Sequence, residues 1–154
     1  MHGWQHTAVN LAALAPISAA GVLFQRTEPL VPFVLGSVFG TLLVTPDLDL
    51  RFNDARRRWG ALAFLWGPYA TFSKHRGMSH SYVIGPLVRL LYLLVMLLPL
   101  LALLLVVARA QDWFFTWRLV EPLQRAVMGY MLSQWLHLLC DGILPFPFRK
   151  SLRS

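Results

Sequence analysis

The chain alternates between long apolar runs and short polar interruptions. From Thr7 to Gln25 there are nineteen positions without a charged side chain. At a rise of ~1.5 Å per residue, a helix of that length crosses the ~30 Å hydrocarbon layer of a bilayer. A second uncharged run extends from Pro29 to Pro46, and its Gly36 and Gly40 form a Gly-x-x-x-Gly pair. Two missing side chains on one helical face invite close approach of another backbone, either within the chain or across a homodimer seam. The third run, Leu90 to Ala108, is nineteen uncharged residues dominated by Leu and Val. Its helix is expected to begin near Ile84, which leaves Arg89 either snorkelling to the interface or pointing into the bundle. The fourth starts near Pro122, continues to about Ile143 and carries Ser133, Gln134, His137 and Asp141. The pattern predicts an all-α fold, a single membrane domain of four transmembrane helices over about 7–25, 29–46, 84–108 and 122–143.

Only one connection is long. It begins with Arg51, Arg56, Arg57 and Arg58, and its middle, Trp59 to Tyr69, is aromatic and too short to span. Such a segment is stable in the headgroup layer, where indole and phenol rings keep one side wet. Composition agrees: 14% of the 154 residues are charged, against about 25% in soluble domains. The net charge of +7 raises the question of nucleic acid, but the cations flank apolar spans, so orientation and anionic lipid headgroups account for them. The connection and the tail together hold Arg51, Arg56, Arg57, Arg58, Lys74, Arg76, Arg149, Lys150 and Arg153, against Arg26, Arg109, Arg118 and Arg125 on the other side. The positive-inside rule then makes this a multi-pass protein of the cell membrane with both termini and the basic segment cytoplasmic. Residues 1 to 6 lack Lys and Arg, so the first run is read as a span rather than a cleaved signal. One cysteine, Cys140, excludes an internal disulfide.

This topology gathers the chemistry. His6 opens the first span, Asp47 and Asp49 close the second, His75 and His80 open the third, and His137 and Asp141 end the fourth. All seven potential metal ligands therefore fall at one face of the membrane. His137 and Asp141, four apart, share a helical face; Gly77 between His75 and His80 suggests a loop wrapped around a site. Imidazoles with carboxylates favour zinc, with manganese or iron compatible, and seven ligands suit two ions or one ion with an extended shell of partners.

The set His6, Pro46-Asp47-Leu48-Asp49, His75-Arg76-Gly77-Met78-Ser79-His80-Ser81 and Gly129-Tyr130 through His137-Leu138-Leu139-Cys140-Asp141 resembles the bacterial membrane-bound metal-dependent hydrolases and their small relatives labelled metal-binding proteins. Those families are grouped with the zinc-dependent phospholipase C fold. Many members have a His after the second acid, where this chain has Leu50. The resemblance implies metal binding, and by analogy hydrolysis.

The expected function is hydrolysis of a phosphoester in a lipid or other amphiphile by a metal-activated water. Asp47 or Asp49 would position that water or take its proton. Arg76, with Lys74 or one of Arg56 to Arg58, would hold the phosphoryl oxygens. The competing expectations are a non-catalytic centre that staples helix ends together and, third, a metal transporter. A serine nucleophile at Ser79 or Ser81 is disfavoured because the neighbouring imidazoles serve better as ligands.

Overall fold

In a computed structural model, which describes residues 3–73, 77–111 and 119–145, the chain is helical, with no strand among the described residues. Helix α1 (Gly3–Leu23) buries His6, Asn10 and Leu14, a four-residue spacing that makes one stripe. It ends in a tight turn: Gln25 takes a left-handed φ of 54° and Arg26 donates its N–H to the Gly21 carbonyl at 2.8 Å, closing the last turn of the helix. The chain therefore reverses at once into α2 (Thr27–Leu42). Pro46 cannot donate to a continuing helix, and residues Pro46–Asp49 form a short 3-10 turn instead.

The basic connection condenses into short pieces: α3 (Asp54–Arg58), a 3-10 segment (Gly60–Trp66) and α4 (Gly67–Phe72). Asn53 caps α3 by accepting the Arg56 N–H at 2.7 Å, as a side-chain N-cap does. Trp66 and Tyr69 are buried with Val44, Leu48, Ala55 and Tyr130, so this segment covers the bundle end instead of trailing away from it. Trp59 adds a tie by donating Nε1–H to the Leu43 carbonyl at 2.8 Å.

A 3-10 turn at Met78–His80 leads into α5 (Ile84–Ala110), and α6 (Val120–Cys140) follows. The Gly-x-x-x-Gly pair packs within the chain: a Cβ on Gly36 would lie 1.9 Å from the Ala126 carbonyl oxygen, and one on Gly129 would lie 1.9 Å from that of Phe33. Gly40 meets Ser133 and Tyr130 in the same way. Contacts that rise together in both helices mean α2 and α6 run parallel. The glycine face is thus filled by α6 and is not available as a homodimer seam. His6 stacks on His137 and Asn10 donates to the Ser133 carbonyl at 3.1 Å, placing α1 antiparallel to α6, while Tyr130 donates to the Pro86 carbonyl at 3.1 Å and Tyr82 to that of Ile143, bringing the start of α5 against the second half of α6. The start of α1, the end of α2, the start of α5 and the end of α6 therefore meet at one end of the bundle.

Three segments are long and apolar enough to cross a membrane: Gly3–Leu23, Thr27–Asp49 and Ile84–Ala110, with mean hydropathies of 1.4, 1.7 and 3.1. The fourth expected span is indeed a helix, but Glu121, Gln124, Arg125, Gln134 and His137 lower its apolarity below that of the other three. Through the middle of helix α5, Leu97, Leu98, Leu100 and Leu101, at successive angles around it, are all exposed. A helix apolar on every side is built for an apolar surround.

Candidate metal centre

Four side chains converge where the helix ends meet. Asp47 comes from the turn after α2, His80 from the turn before α5, His137 from the last turn of α6, and Asp141 caps that helix. One ligand atom from each can be chosen so that all lie within 4.8 Å of one another. His137 Nε2 is 3.4 Å from an oxygen of Asp47 and 3.4 Å from one of Asp141; His80 Nε2 is 3.7 Å from an oxygen of each. These separations are long for charge-assisted hydrogen bonds, which run near 2.7–2.9 Å. They suit atoms sharing an ion, because two ligand atoms ~2.1 Å from a tetrahedral centre are about 3.4 Å apart. His137 Nε2 is moreover buried without a hydrogen-bond partner while it faces both carboxylates. Two imidazoles and two carboxylates form a donor set that zinc, manganese or ferrous iron accepts, so the residues fit a divalent ion.

The remaining expected ligands are placed less directly. His6 is buried, stacks on His137 with ring centroids 4.1 Å apart and sets Nε2 3.2 Å from the outer oxygen of Asp141. It lies directly beside the four-group cluster of Asp47, His80, His137 and Asp141. Asp49 is buried two residues beyond Asp47 and is outside the cluster. His75, together with Lys74 and Arg76, falls outside the described residues. Among the described residues a second cluster of metal-ligating side chains does not form. The four converging groups form one candidate site.

Backbone anchors hold these ligands. Asn53 donates its side-chain N–H to the Asp47 carbonyl at 2.5 Å and to that of Leu50 at 2.8 Å. Ser79 is wholly buried and donates its hydroxyl to the Pro46 carbonyl at 2.7 Å. Ser81 donates to the Met78 carbonyl and accepts the Gly85 N–H. Both hydroxyls are engaged in holding the His80 turn, which removes them further from a nucleophilic role. Tyr82 donates to the Ile143 carbonyl at 2.6 Å, joining the His80 turn to the chain just past Asp141, and burial pushes its phenol pKa up. The tyrosine therefore remains a neutral donor across the physiological range.

Exposure is lopsided. The imidazoles of His80 and His137 are 2% and 4% exposed, the carboxylates of Asp47 and Asp141 21% and 24%. The centre is closed on the imidazole side and opens outward past the carboxylates. Nearby, a cavity of about 530 Å³ is lined by Arg51, Phe52, Asn53, Asp54, Arg56 and Arg57, among others. Asn53, which anchors Asp47, is part of its wall.

Comparison with known proteins agrees with this geometry. The model of the family described as "Uncharacterized metal-binding protein (DUF2227)" matches residues 1–150. A protein of Aquifex aeolicus, printed as "Uncharacterized protein", is 48% identical over 63 residues, which are 41% of this chain and 45% of that protein. The match thus spans under half the length of that relative. No solved structure matches the chain. The chain belongs to this metal-binding family. The family's description names metal binding and neither a hydrolase nor a phospholipase.

Proposed function

We propose, taking membership of a metal-binding family as the premise, that this chain is a membrane-embedded metal-dependent hydrolase acting on a phosphoester of a lipid or other amphiphile. One observation carries the reading: the centre is closed by buried imidazoles on one side and open past two part-exposed carboxylates on the other. Structural zinc sites are closed by protein ligands, whereas catalytic sites keep a position for water or substrate. Asp47, His80, His137 and Asp141 would hold the ion, zinc for preference, and when bound it supplies water activation and charge neutralisation on a phosphoryl group. The carboxylate of Asp47, on the open side, would accept a proton from an incoming water, with Asp49, buried on the same turn, supporting it.

The arginine-lined cavity is the natural place for the phosphate, because guanidinium pairs phosphoryl oxygens through parallel donors. Asp54 also faces it, at 4.0 Å from Arg57, and leaves it net basic. Arg76, four residues before His80 in the sequence, is assigned the same phosphoryl-binding role. In this reading α6 is the fourth crossing, with its polar face turned to the bundle. The basic segment and both termini lie on the cytoplasmic side, Phe64 dips toward the acyl chains, and substrate enters from the headgroup layer.

The test is hydrolysis of phosphomonoesters and phosphodiesters, soluble and in mixed micelles, by the purified protein. Activity that chelation removes, that zinc restores and that His137→Ala lacks would support the proposal. Stoichiometric metal with no turnover of any phosphoester would instead favour a non-catalytic centre stapling helix ends. A transporter is a poorer fit, since the polar groups sit at one end and the middle of α5 is apolar on every side.

A further inference from the structure

Arg89 lies inside the first turns of the most apolar helix and is 0% exposed. Its guanidinium bonds to uncharged groups: Nη1 donates to the Ser79 carbonyl at 2.9 Å and reaches the Ser79 hydroxyl at 3.4 Å, and Nη2 donates to Gln134 Oε1 at 2.9 Å. Among the described residues it has no carboxylate partner, and a buried cation so placed is costly. An apolar side chain would pack the same space more cheaply, so the stabilisation of the fold does not explain it.

The partners explain it. Ser79 immediately precedes His80, and its hydroxyl donates to the carbonyl of Pro46, the residue before Asp47. Gln134 is one turn before His137, and its amide group also donates to Ser133 Oγ at 3.0 Å and toward the Gly40 carbonyl at 3.4 Å. One guanidinium thus touches, directly or through one hydroxyl, the three segments that carry Asp47, His80 and His137. Its planar fork fixes two directions at once, which a lysine ammonium cannot. We propose that Arg89 is the positioning residue of the metal centre, holding the His80 turn and α6 in the register at which both imidazoles face the carboxylates. The inference rests on the four-residue metal site and does not depend on hydrolysis.

Other ties hold α5 to α6 without Arg89. Tyr130 bonds the Pro86 carbonyl, and Trp135 donates Nε1–H to the Tyr82 carbonyl at 2.9 Å. Arg89→Met should therefore keep the helices paired. The experiment loads wild type, Arg89→Met, Arg89→Lys and Gln134→Leu with Co²⁺. It reads the visible absorption of the bound ion, which reports ligand geometry, and the affinity by chelator competition. Arg89→Met is expected to lose about 10–100-fold in affinity, the range for residues that orient metal ligands, with a shifted cobalt spectrum; Arg89→Lys recovers part of both, and Gln134→Leu shows a smaller shift of the same kind. Arg125→Gln, far from the site, serves as control and leaves both unchanged. Wild-type affinity and spectrum in the Arg89 and Gln134 variants, with lowered melting temperature alone, would make Arg89 merely structural and overturn the proposal. If Arg89→Met does not fold, the lysine and Gln134 variants decide by the same two readouts. Failure of the metal site itself looks different: wild type and His137→Ala would then bind cobalt equally poorly.

Discussion

His6 separates two ways of building the centre. Its ring stacks on His137 and its Nε2 meets the oxygen of Asp141 that His80 and His137 do not approach, and in the proposed centre it orients a ligand rather than completing the set. His6→Ala is accordingly expected to keep one ion per chain while weakening its binding by about 10–100-fold. His137→Ala should abolish stoichiometric binding. Elemental analysis of the two purified variants, beside competition titration, checks both statements. At this scale much of the site is legible in the sequence, because His80, Asp47, His137 and Asp141 are ionisable groups beside apolar runs, where they are costly without a shared task. Arg89 obeys the same rule, yet nothing in one dimension shows that Ser79 and Gln134 are the groups it meets. Those partners come from the way the start of α5 packs on α6.

Helices are the best-determined level, since the uncharged runs set their existence and the breakers set their ends. Pro46 stops α2 and the left-handed Gln25 turns the chain after α1. The pairing of α2 with α6 is harder to read. Gly36 and Gly40 announce a close contact, but the contact needs Gly129 opposite, and a lone glycine in a polar-faced helix carries no address. Gly129→Ala would put a methyl group 1.9 Å from the Phe33 carbonyl oxygen. Overpacking of this kind costs about 1–3 kcal/mol, and backbone cannot give way as a side chain does. We expect a lower melting temperature in detergent together with weaker metal binding, because Asp47 follows α2 and His137 lies on α6. A variant with unchanged melting temperature and metal affinity would show that the two helices do not pack at this distance.

For the whole molecule, an ion at this centre would join segments separated by most of the chain, from Asp47 to Asp141. Binding to the folded form alone adds RT ln(1 + [L]/Kd), about 2.7 kcal/mol at a hundredfold excess over Kd. Chelation should therefore lower the melting temperature of wild type and leave that of His137→Ala unmoved, as read by thermal unfolding in the same detergent. Orientation belongs to this scale as well. Phe52 is 95% exposed at the tip of the basic segment, so Phe52→Cys on a Cys140→Ser background is expected to react with an impermeant thiol reagent only from the cytoplasmic side. Labelling from the outside would invert the proposed topology.

The central claim is that distant parts of the chain deliver two imidazoles and two carboxylates to one ion, and X-ray absorption at the metal edge of the purified, metal-replete protein tests it most directly. The account predicts one ion per chain bound by nitrogen and oxygen at ~2.0–2.2 Å, with two imidazole ligands, no sulfur, and loss of the signal in His137→Ala. A sulfur ligand, or an ion whose shell is unchanged when His80 and His137 are replaced, would contradict it.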